Sequence, residues 1–281
     1  MNVSDFDFIA QLLKKRSGLA LTKEKAYLLE SRLNPVARKW NFAGFDELAT
    51  ALRSGATEEL LVDVTEAMTT NESFFFRDQK PFEQFKELVL PHMVKTRANQ
   101  KTFRIWSAAC SSGQEPYTLA MILKDNEAQL AGWRIEIVAT DLSSEILAKA
   151  KEGLYSQFEV QRGLPITMLV KYFKQVGDRW QLSDTIRKMV NFKQFNLLND
   201  PASLGKFDVV FCRNVLIYFD TPTKSRVLGS IANLMPKDGF LYLGGAETVL
   251  GTSERFQLMP GQRGVYNLAS ESPASAKAVG T

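Results

Sequence analysis

The sequence is poor in the residues that several classes of enzyme and scaffold need. It contains two cysteines, Cys110 and Cys212, and one histidine. Two cysteines are too few for a disulfide framework or a zinc site, so we expect the reducing cytoplasm and no bound metal. A serine or cysteine hydrolase would have to use His92, which lies inside a helical pattern at residues 81–96 with no nucleophile motif nearby. We therefore expect chemistry that needs no imidazole.

Long hydrophobic runs and a strong charge imbalance are also lacking. No apolar run approaches the roughly 20 residues of a membrane-spanning helix. The first residues, MNVSDFDF, lack the basic start and apolar core of a signal peptide, so we expect no membrane insertion. The net charge of +4 is mild and does not indicate nucleic acid as a partner. With 281 residues, 45% of them hydrophobic, the chain has the composition of an ordinary globular protein and enough length for two domains.

Residues 1–72 predict a small all-helical domain that docks a partner. Helical spacing of apolar residues predicts four segments at residues 4–18, 22–35, 45–52 and 58–68. Residues 14–39 carry eight basic and two acidic side chains, an excess of six positive charges. Such an excess would attract an acidic partner, but the charge alone is explained more simply by a solvated helix surface.

The segment TTNESFFFRD at residues 69–78 fits neither helical nor strand periodicity. Three consecutive phenylalanines predict that some of these rings pack between two domains. The donors of Asn71, Ser73 and Arg77 cluster around the rings, and a purely structural linker would not need them. We interpret residues 73–102 as a linker and a first helix, and the polar side chains as candidates for lining a ligand pocket.

Residues 103–120, FRIWSAACSSGQEPYTLA, predict a buried strand, a tight turn and the start of a helix. The turn has one glycine, Gly113, and no Gly-Lys-Ser/Thr, so it lacks the features of dinucleotide and Walker phosphate sites. Glu115 would point into the crevice at the carboxyl ends of the strands, where a carboxylate suits hydroxyl donors better than phosphate. Taken alone, this stretch is consistent with a nucleoside-like ligand or with an ordinary turn carrying a surface glutamate.

A second strand at residues 134–140 ends in Asp141, which follows Gly113 by 28 residues. An acidic residue at this position is well placed to accept both ribose hydroxyls of a nucleoside. The sequence TDLSSE also reads as a helix start, so Asp141 could instead cap a helix. The two roles are compatible.

The remainder of residues 103–268 predicts further strands and helices of an α/β domain. Residues 155–195 interrupt the alternation with a short antiparallel hairpin and one more strand, which we interpret as a small β insertion. The strand at residues 206–212 is followed by Asn214 and Tyr218, which we place in the same crevice as Glu115. Later elements are predicted at residues 222–234, 239–245, 256–259 and 264–268. The tail, residues 269–281, has a disordered composition.

Taken together, these segments resemble a known family. TTNESFFFRD, ACSSGQEPYT, ATDLS, FNLL and FCRNVLIYFD, in that order and at similar separations, resemble the CheR family of chemotaxis receptor glutamate methyltransferases. The resemblance covers nearly the whole chain. It implies a class I, Rossmann-like methyltransferase sheet with a small β insertion, preceded by an all-α domain. It also implies an enzyme that uses S-adenosylmethionine to form glutamyl methyl esters on chemoreceptors and releases S-adenosylhomocysteine.

The resemblance also assigns roles to residues. The implied cofactor-binding residues are Asn71, Ser73, Arg77, Glu115, Asp141, Asn196, Leu197, Asn214 and Val215. Ser73 stands where many relatives have threonine, a change that keeps the hydroxyl. Arg77 and the Tyr218 hydroxyl are candidates for holding the substrate carboxylate in line with the cofactor. The candidates for receptor docking are Arg32, Arg38, Lys39 and Arg53.

The expected partners are the cytoplasmic helices of methyl-accepting chemotaxis receptors. In some family members the inserted subdomain also grips a receptor's C-terminal peptide, so peptide tethering stays open for residues 155–195, where the match is loose. Two alternatives remain. One is another class I methyltransferase acting on nucleic acid or a small molecule, and the other is a receptor adaptor without catalytic activity.

Overall fold

The computed structural model describes residues 3–270, and its first part is helical. The helices are α1 (Val3–Ser17), α2 (Ala26–Lys39), α3 (Phe45–Arg53) and α4 (Glu58–Ala67), with a short 3₁₀ turn at Lys23–Lys25. Their apolar faces form a separate core that includes Ile9, Leu33, Leu48 and Val64. The predicted all-α fold of this part is therefore confirmed. Most of the predicted tail lies outside the described residues.

The second predicted helix does not end near Pro35, as the sequence suggested. It continues through Pro35 to Lys39. Proline inside a helix removes one hydrogen bond and crowds the preceding turn. Here Pro35 is exposed, while Leu33 and Val36 beside it are buried in the helical core. Burial of that face offsets the local cost, so tertiary packing overrides the stop signal.

The rest of the chain is built on one seven-stranded sheet. Its strands are β1 (Thr102–Ala108), β2 (Arg134–Asp141), β6 (Val190–Gln194), β7 (Val209–Cys212), β8 (Phe240–Leu243), β9 (Phe256–Leu258) and β10 (Val265–Leu268). The order is β6-β2-β1-β7-β8-β10-β9; β10 is antiparallel to both of its neighbours, β8 and β9, and the other neighbouring pairs are parallel. The predicted α/β sheet and its closing hairpin are confirmed.

Helices cover both faces of this sheet. They are α5 (Lys80–Gln84), a π turn at Phe85–Val89, α6 (Leu90–Thr96), α7 (Gln114–Asp125), α8 (Ser144–Glu152) and α12 (Thr221–Leu234). Successive residues of a strand are buried in different hydrophobic cores, one on each face of the sheet. Ile105 lies in the core formed with α5–α8, and Trp106 lies in the core formed with α12. Burial on both faces explains why the parallel strands read as continuous apolar runs.

A small subdomain is inserted between α8 and β6. It contains β3 (Leu154–Ser156), α9 (Gln157–Gln161), α10 (Ile166–Tyr172), β4 (Phe173–Val176), β5 (Arg179–Leu182) and α11 (Asp184–Arg187). Its strands form an antiparallel sheet in the order β3-β5-β4. The predicted extent of the insertion, 155–195, is too long at its end, because β6 pairs with β2 in the main sheet. Periodicity identified a strand there but not its partner.

Two of the three phenylalanines of the linker, Phe75 and Phe76, pack differently from the prediction. Phe75 is fully buried in the core of the sheet domain and lies edge-on to Tyr155 and Phe173 of the insertion, at centroid distances of 5.0 and 5.6 Å. Phe76 contacts Phe82 of α5 at 5.6 Å. Phe75 and Phe76 therefore anchor the linker inside the C-terminal domain, and for these two rings the expectation of packing between the two domains was wrong.

Candidate functional site

One cavity lies at the carboxyl ends of β1, β2 and β7 and is covered by the helical domain. It brings together every residue proposed above for the cofactor or for catalysis. These are Asn71, Ser73, Arg77, Glu115, Asp141, Asn196, Leu197, Asn214, Val215 and Tyr218. Ser17, Leu19 and residues 68–70 line the same cavity from the helical domain and the start of the linker. His92 lies elsewhere, on α6, with its ring 5.2 Å from that of Phe240.

The turn after β1 has an unusual backbone that shapes the cavity floor. Ala109, Ser111 and Gly113 all have left-handed φ angles, of 56°, 51° and 90°. A Cβ added to Gly113 would lie 3.1 Å from both Ala150 and Tyr117 side-chain atoms, so both its φ and its surroundings favour glycine. Alanine and serine held in this region store strain, a feature that clusters at ligand sites.

Asp141 ends β2 with its carboxylate turned into the cavity. One oxygen accepts a hydrogen bond from the Ser111 backbone N–H at 2.8 Å, and the other accepts from the Ser143 N–H at 3.1 Å. Burial raises the pKa of this carboxyl above its usual value of 3.8, and the backbone N–H groups partly oppose that rise. Ser143, not Asp141, caps α8, since its hydroxyl accepts from Ile146 N–H at 3.2 Å. The Leu142 backbone N–H also interacts with this carboxylate. Because a carboxylate offers about four acceptor sites, Asp141 keeps capacity for a further donor.

Glu115 is held by a buried arginine that the sequence reasoning did not select. Its carboxylate accepts from the Ser107 hydroxyl at 2.8 Å and from Arg213 Nη1 at 2.8 Å. Arg213 Nη2 also donates to the carbonyl of Arg77 and to Asp78 Oδ2, both at 2.8 Å. The Arg213 side chain is 1% exposed. One guanidinium therefore connects the end of β7, the start of α7 and the linker.

The linker residues approach the cavity from the other side. The Asn71 carbonyl accepts from the Ser111 hydroxyl at 2.8 Å, which ties the linker to the turn after β1. Arg77 Nη1 donates to the Glu72 carbonyl at 2.7 Å, and its guanidinium carbon lies 5.6 Å from the centre of the Phe74 ring. Asn196, after β6, donates to the Arg16 carbonyl at 2.5 Å. The cavity wall is thus shared between both domains.

The four residues proposed for receptor docking all lie on the helical domain, but they differ in their bonding partners and exposure. Arg32 donates to the carbonyls of Met68 and Thr69, at 2.9 and 3.0 Å, so it holds the start of the linker. Arg53 bonds Ser4 and Asp5 of α1. Lys39 pairs with Asp63 at 2.8 Å but remains 67% exposed. Arg38 is exposed beside it.

Sequence reasoning missed Arg213, Glu247 and the contribution of Ser17 and Leu19. A signal existed for the first two. Arg213 directly follows the apolar strand β7, and Glu247 is an acidic residue four positions after the end of β8. For Ser17 and Leu19 no local pattern indicates a cavity, because the wall forms only when the helical domain packs on the sheet domain.

The side chains suit S-adenosylmethionine. Asp141 offers buried acceptor oxygens to vicinal hydroxyls, Glu115 offers a carboxylate to an ammonium group, and Arg77 offers donors to a carboxylate. The apolar side chains of Leu197 and Val215 line the cavity beside Asn196 and Asn214, a combination that fits a purine ring. The cavity therefore matches the ribose, amino-acid and base portions of this cofactor by type of group.

Comparison with known proteins covers nearly the whole chain. Residues 4–69 match the family model described as CheR methyltransferase, all-alpha domain, and residues 71–265 match CheR methyltransferase, SAM binding domain. Chemotaxis protein methyltransferase 1 of Pseudomonas aeruginosa is 42% identical over 269 residues, or 93% of this chain and 96% of the relative. Chemotaxis protein methyltransferase Cher2 of Pseudomonas putida is 40% identical over 93% of this chain and 96% of its own.

A solved structure, PKMT2 from Rickettsia typhi in complex with AdoHcy, is 17% identical to this chain. It superposes with a TM-score of 0.34 over 51% of this chain and 20% of its own. A likeness of this size carries no argument about activity. Within residues 3–270, no helix combines the length and apolar character that crossing a membrane requires.

Proposed function

The chain belongs to the CheR methyltransferase family, and we propose that it methylates glutamate side chains of chemoreceptors, forming glutamyl methyl esters. The family makes it a methyltransferase that uses S-adenosylmethionine. The observation that carries the proposal is the cavity at the ends of β1, β2 and β7, which combines Asp141, Glu115, Arg77 and Tyr218. We propose that this chemistry serves chemotaxis adaptation.

A glutamate substrate explains the scarcity of imidazole. A glutamate carboxyl has a reference pKa of about 4.3, so it is ionised at neutral pH and needs no general base. When bound, S-adenosylmethionine supplies a methyl group on a positively charged sulfur. The protein's task is then to bring a weakly nucleophilic carboxylate into line in a site with little water. Alignment of this kind contributes up to about 7–11 kcal/mol in ideal intramolecular reactions.

We assign the parts of the cofactor to residues as follows. Asp141 accepts from the ribose hydroxyls, and Glu115, fixed by Arg213, lies near the amino group. Asn71, Ser73 and Arg77 hold the methionyl end. The remaining cofactor residues flank the adenosyl portion: Asn196, Leu197, Asn214 and Val215.

Arg77 and Tyr218 are the proposed orienting groups for the substrate carboxylate. Both line the cavity, and both can donate a hydrogen bond to a carboxylate oxygen. If Arg77 only anchors the cofactor, its loss weakens cofactor binding. If it also orients the substrate, turnover falls even at saturating cofactor.

The proposed partners are the cytoplasmic helices of chemoreceptors, which meet Arg38 and Lys39 through weak, salt-sensitive contacts. The insertion offers a second contact. Strand β4 lies at the edge of its three-stranded sheet, and an extended peptide can add to such an edge as a further strand. We include a receptor C-terminal peptide as the ligand of this edge.

The decisive test is transfer of radiolabelled methyl from S-adenosylmethionine to chemoreceptor-containing membranes, followed by mild alkali. We expect label that alkali releases as volatile methanol, and no such label with Asp141→Ala. S-adenosylhomocysteine binding without receptor label would contradict the proposed substrate and favour another methyl acceptor, such as nucleic acid or a small molecule. Receptor binding with neither cofactor binding nor label would favour the adaptor alternative.

A further inference from the structure

Glu247 lies in the loop after β8 and gathers four backbone N–H groups on one carboxylate. Oε2 accepts from Asn214 N at 2.7 Å and from Gly244 N at 2.6 Å. Oε1 accepts from Val215 N at 2.9 Å and from Ile217 N at 3.2 Å. The residue is 9% exposed. Hydrogen bonds to a buried carboxylate are stronger than neutral ones, so this group is a firm local anchor.

Three of the four N–H groups belong to the loop that carries site residues. Asn214, Val215 and the 3₁₀ turn Leu216–Tyr218 follow β7 and line the cavity at Asn214, Val215 and Tyr218. Asn214 has a left-handed φ of 58°, a conformation that costs free energy in a residue other than glycine. Its N–H is held by Glu247, which helps to keep the loop in this strained form.

Gly244 shows how closely the two loops approach. A Cβ added there would lie 2.7 Å from both Asn214 Nδ2 and Glu247 Oε2, and 2.9 Å from the Asn214 backbone nitrogen. A side chain at this position would therefore displace the carboxylate, the Asn214 amide group or both. The contact between the two loops therefore needs both glycine at position 244 and the carboxylate of Glu247, three residues later.

We infer that Glu247 is a positioning residue for methyl transfer: it fixes residues 214–218, so that Asn214 and Val215 face the cofactor and Tyr218 faces the substrate carboxylate. The inference rests on the proposed function for the role of Tyr218. Glutamine cannot replace the carboxylate, because its NH₂ would meet two backbone N–H donors where Glu247 presents an acceptor. Aspartate keeps the charge but is one methylene shorter.

The test compares Glu247→Gln and Glu247→Asp with Glu254→Gln, which removes an exposed carboxylate from the same connection. The measurements are kcat and KM on receptor membranes, and the Kd for S-adenosylhomocysteine by calorimetry. We expect Glu247→Gln to lower kcat about 100-fold, the effect of misplacing a reacting group by about 1 Å. We also expect Glu247→Gln to weaken the binding of S-adenosylhomocysteine. The kcat and Kd of Glu247→Asp should lie between those of the parent and Glu247→Gln, and those of Glu254→Gln should equal the parent values.

A spectroscopic measurement separates positioning from a general loss of stability. In protein labelled with 3-fluorotyrosine, the ¹⁹F resonance of Tyr218 is identified by its loss in Tyr218→Phe. We expect this resonance to shift in Glu247→Gln and to keep its parent position in Glu254→Gln. A lower melting temperature with unchanged kcat and an unshifted resonance would overturn the inference.

A second variant tests the contact itself. Gly244→Ala should reproduce the loss of kcat, and the double variant with Glu247→Gln should be little worse than either alone, since both break the same loop contact. Additive losses would overturn the inference. If the parent protein fails to methylate receptors, the proposed function fails, whereas the resonance and the S-adenosylhomocysteine Kd still decide the role of Glu247.

Discussion

At the residue scale, three acidic side chains near the ends of strands have different roles because their hydrogen-bond partners differ. Asp141 is buried, accepts backbone N–H groups on both oxygens and keeps acceptor capacity for a ligand. Glu115 is paired with Arg213, which fixes its orientation. In the contacts described above Glu247 accepts only from backbone N–H groups, so it holds the loops after β7 and β8 together.

The raised pKa of Asp141 predicts a pH dependence of cofactor binding. Because burial favours its neutral form, this carboxyl takes up a proton at a higher pH than the ordinary value of 3.8 as the solution is acidified. The protonated acid is a poorer acceptor for the ribose hydroxyls, so we expect affinity for S-adenosylhomocysteine to fall as the solution is acidified. Calorimetry at a series of pH values from neutral downward is the measurement.

The matched variant is Asp141→Asn, which cannot ionise. We expect its affinity to be about 10- to 100-fold lower at neutral pH, the range of a lost hydrogen bond to a charged group. Its affinity should also show little dependence on pH. Parallel pH profiles for the parent and the variant would mean that another group causes the effect.

At the element scale, the linker is held in an irregular form by its phenylalanines and by Arg213. Phe76, Asp78 and Gln79 have left-handed φ angles of 53°, 68° and 46°. A Cβ added to Gly163 of the insertion would lie 2.1 Å from the Phe75 carbonyl oxygen, so the insertion closes tightly on this backbone. The segment that presents Ser73 and Arg77 is therefore fixed by buried packing rather than by regular hydrogen bonding.

Truncating the buried ring should destabilise the protein far more than truncating its neighbour. Phe75→Ala removes a fully buried ring from between Tyr155 and Phe173, and we expect a loss of about 3–5 kcal/mol of unfolding free energy. Phe74 is half-buried, with Arg162 4.2 Å from its ring centre, so Phe74→Ala should cost less than half as much. Urea unfolding measures both. Equal losses would show that Phe75 is not the anchor.

At the scale of the whole molecule, the helical domain is joined to the sheet domain around the cavity. Lys14 pairs with Asp220 at 2.6 Å, and Glu66 accepts from the Ser143 hydroxyl and the Ser144 N–H, both at 2.9 Å. The Ala20 N–H donates to the Tyr218 carbonyl at 2.9 Å. The helical domain therefore directly contacts the loop that carries Tyr218.

Charge reversal on the helical domain tests receptor docking. Arg38→Glu changes an exposed cation, whereas reversing Lys39 would also place a second acid beside Asp63. We expect Arg38→Glu to raise KM for receptor about two- to fivefold at low salt, as exposed charge pairs contribute up to about 1 kcal/mol each. The Kd for S-adenosylhomocysteine should not change. Lys95→Glu, an exposed cation on α6, is the control, and a KM that rises equally in both would contradict specific docking.

Local patterns predicted much of the fold and part of the site. The buried parallel strands were recognisable as apolar runs, and the positions of Gly113, Glu115 and Asp141 after strands indicated a crevice. Contacts between distant residues were not recognisable. Arg213 and Glu115 are 98 residues apart in the sequence, and Asn196 bonds a carbonyl 180 residues away. Residue spacing along one strand or helix carries no information about such pairs.

The sequence by itself determined the order of helices and strands, the small helical domain and a crevice with acidic side chains at the ends of the strands, since these depend on local periodicity and on which polar groups follow each strand. Only the tertiary structure decided that β6 joins the main sheet, that Phe75 is buried beneath the insertion, and that α2 passes through Pro35. Only it placed Arg213 on Glu115 and Glu247 beneath the loop of Tyr218. The physical reason is that an apolar face or a polar group can be read from its own neighbours, whereas the partner that buries or bonds it is chosen by the packing of the whole chain.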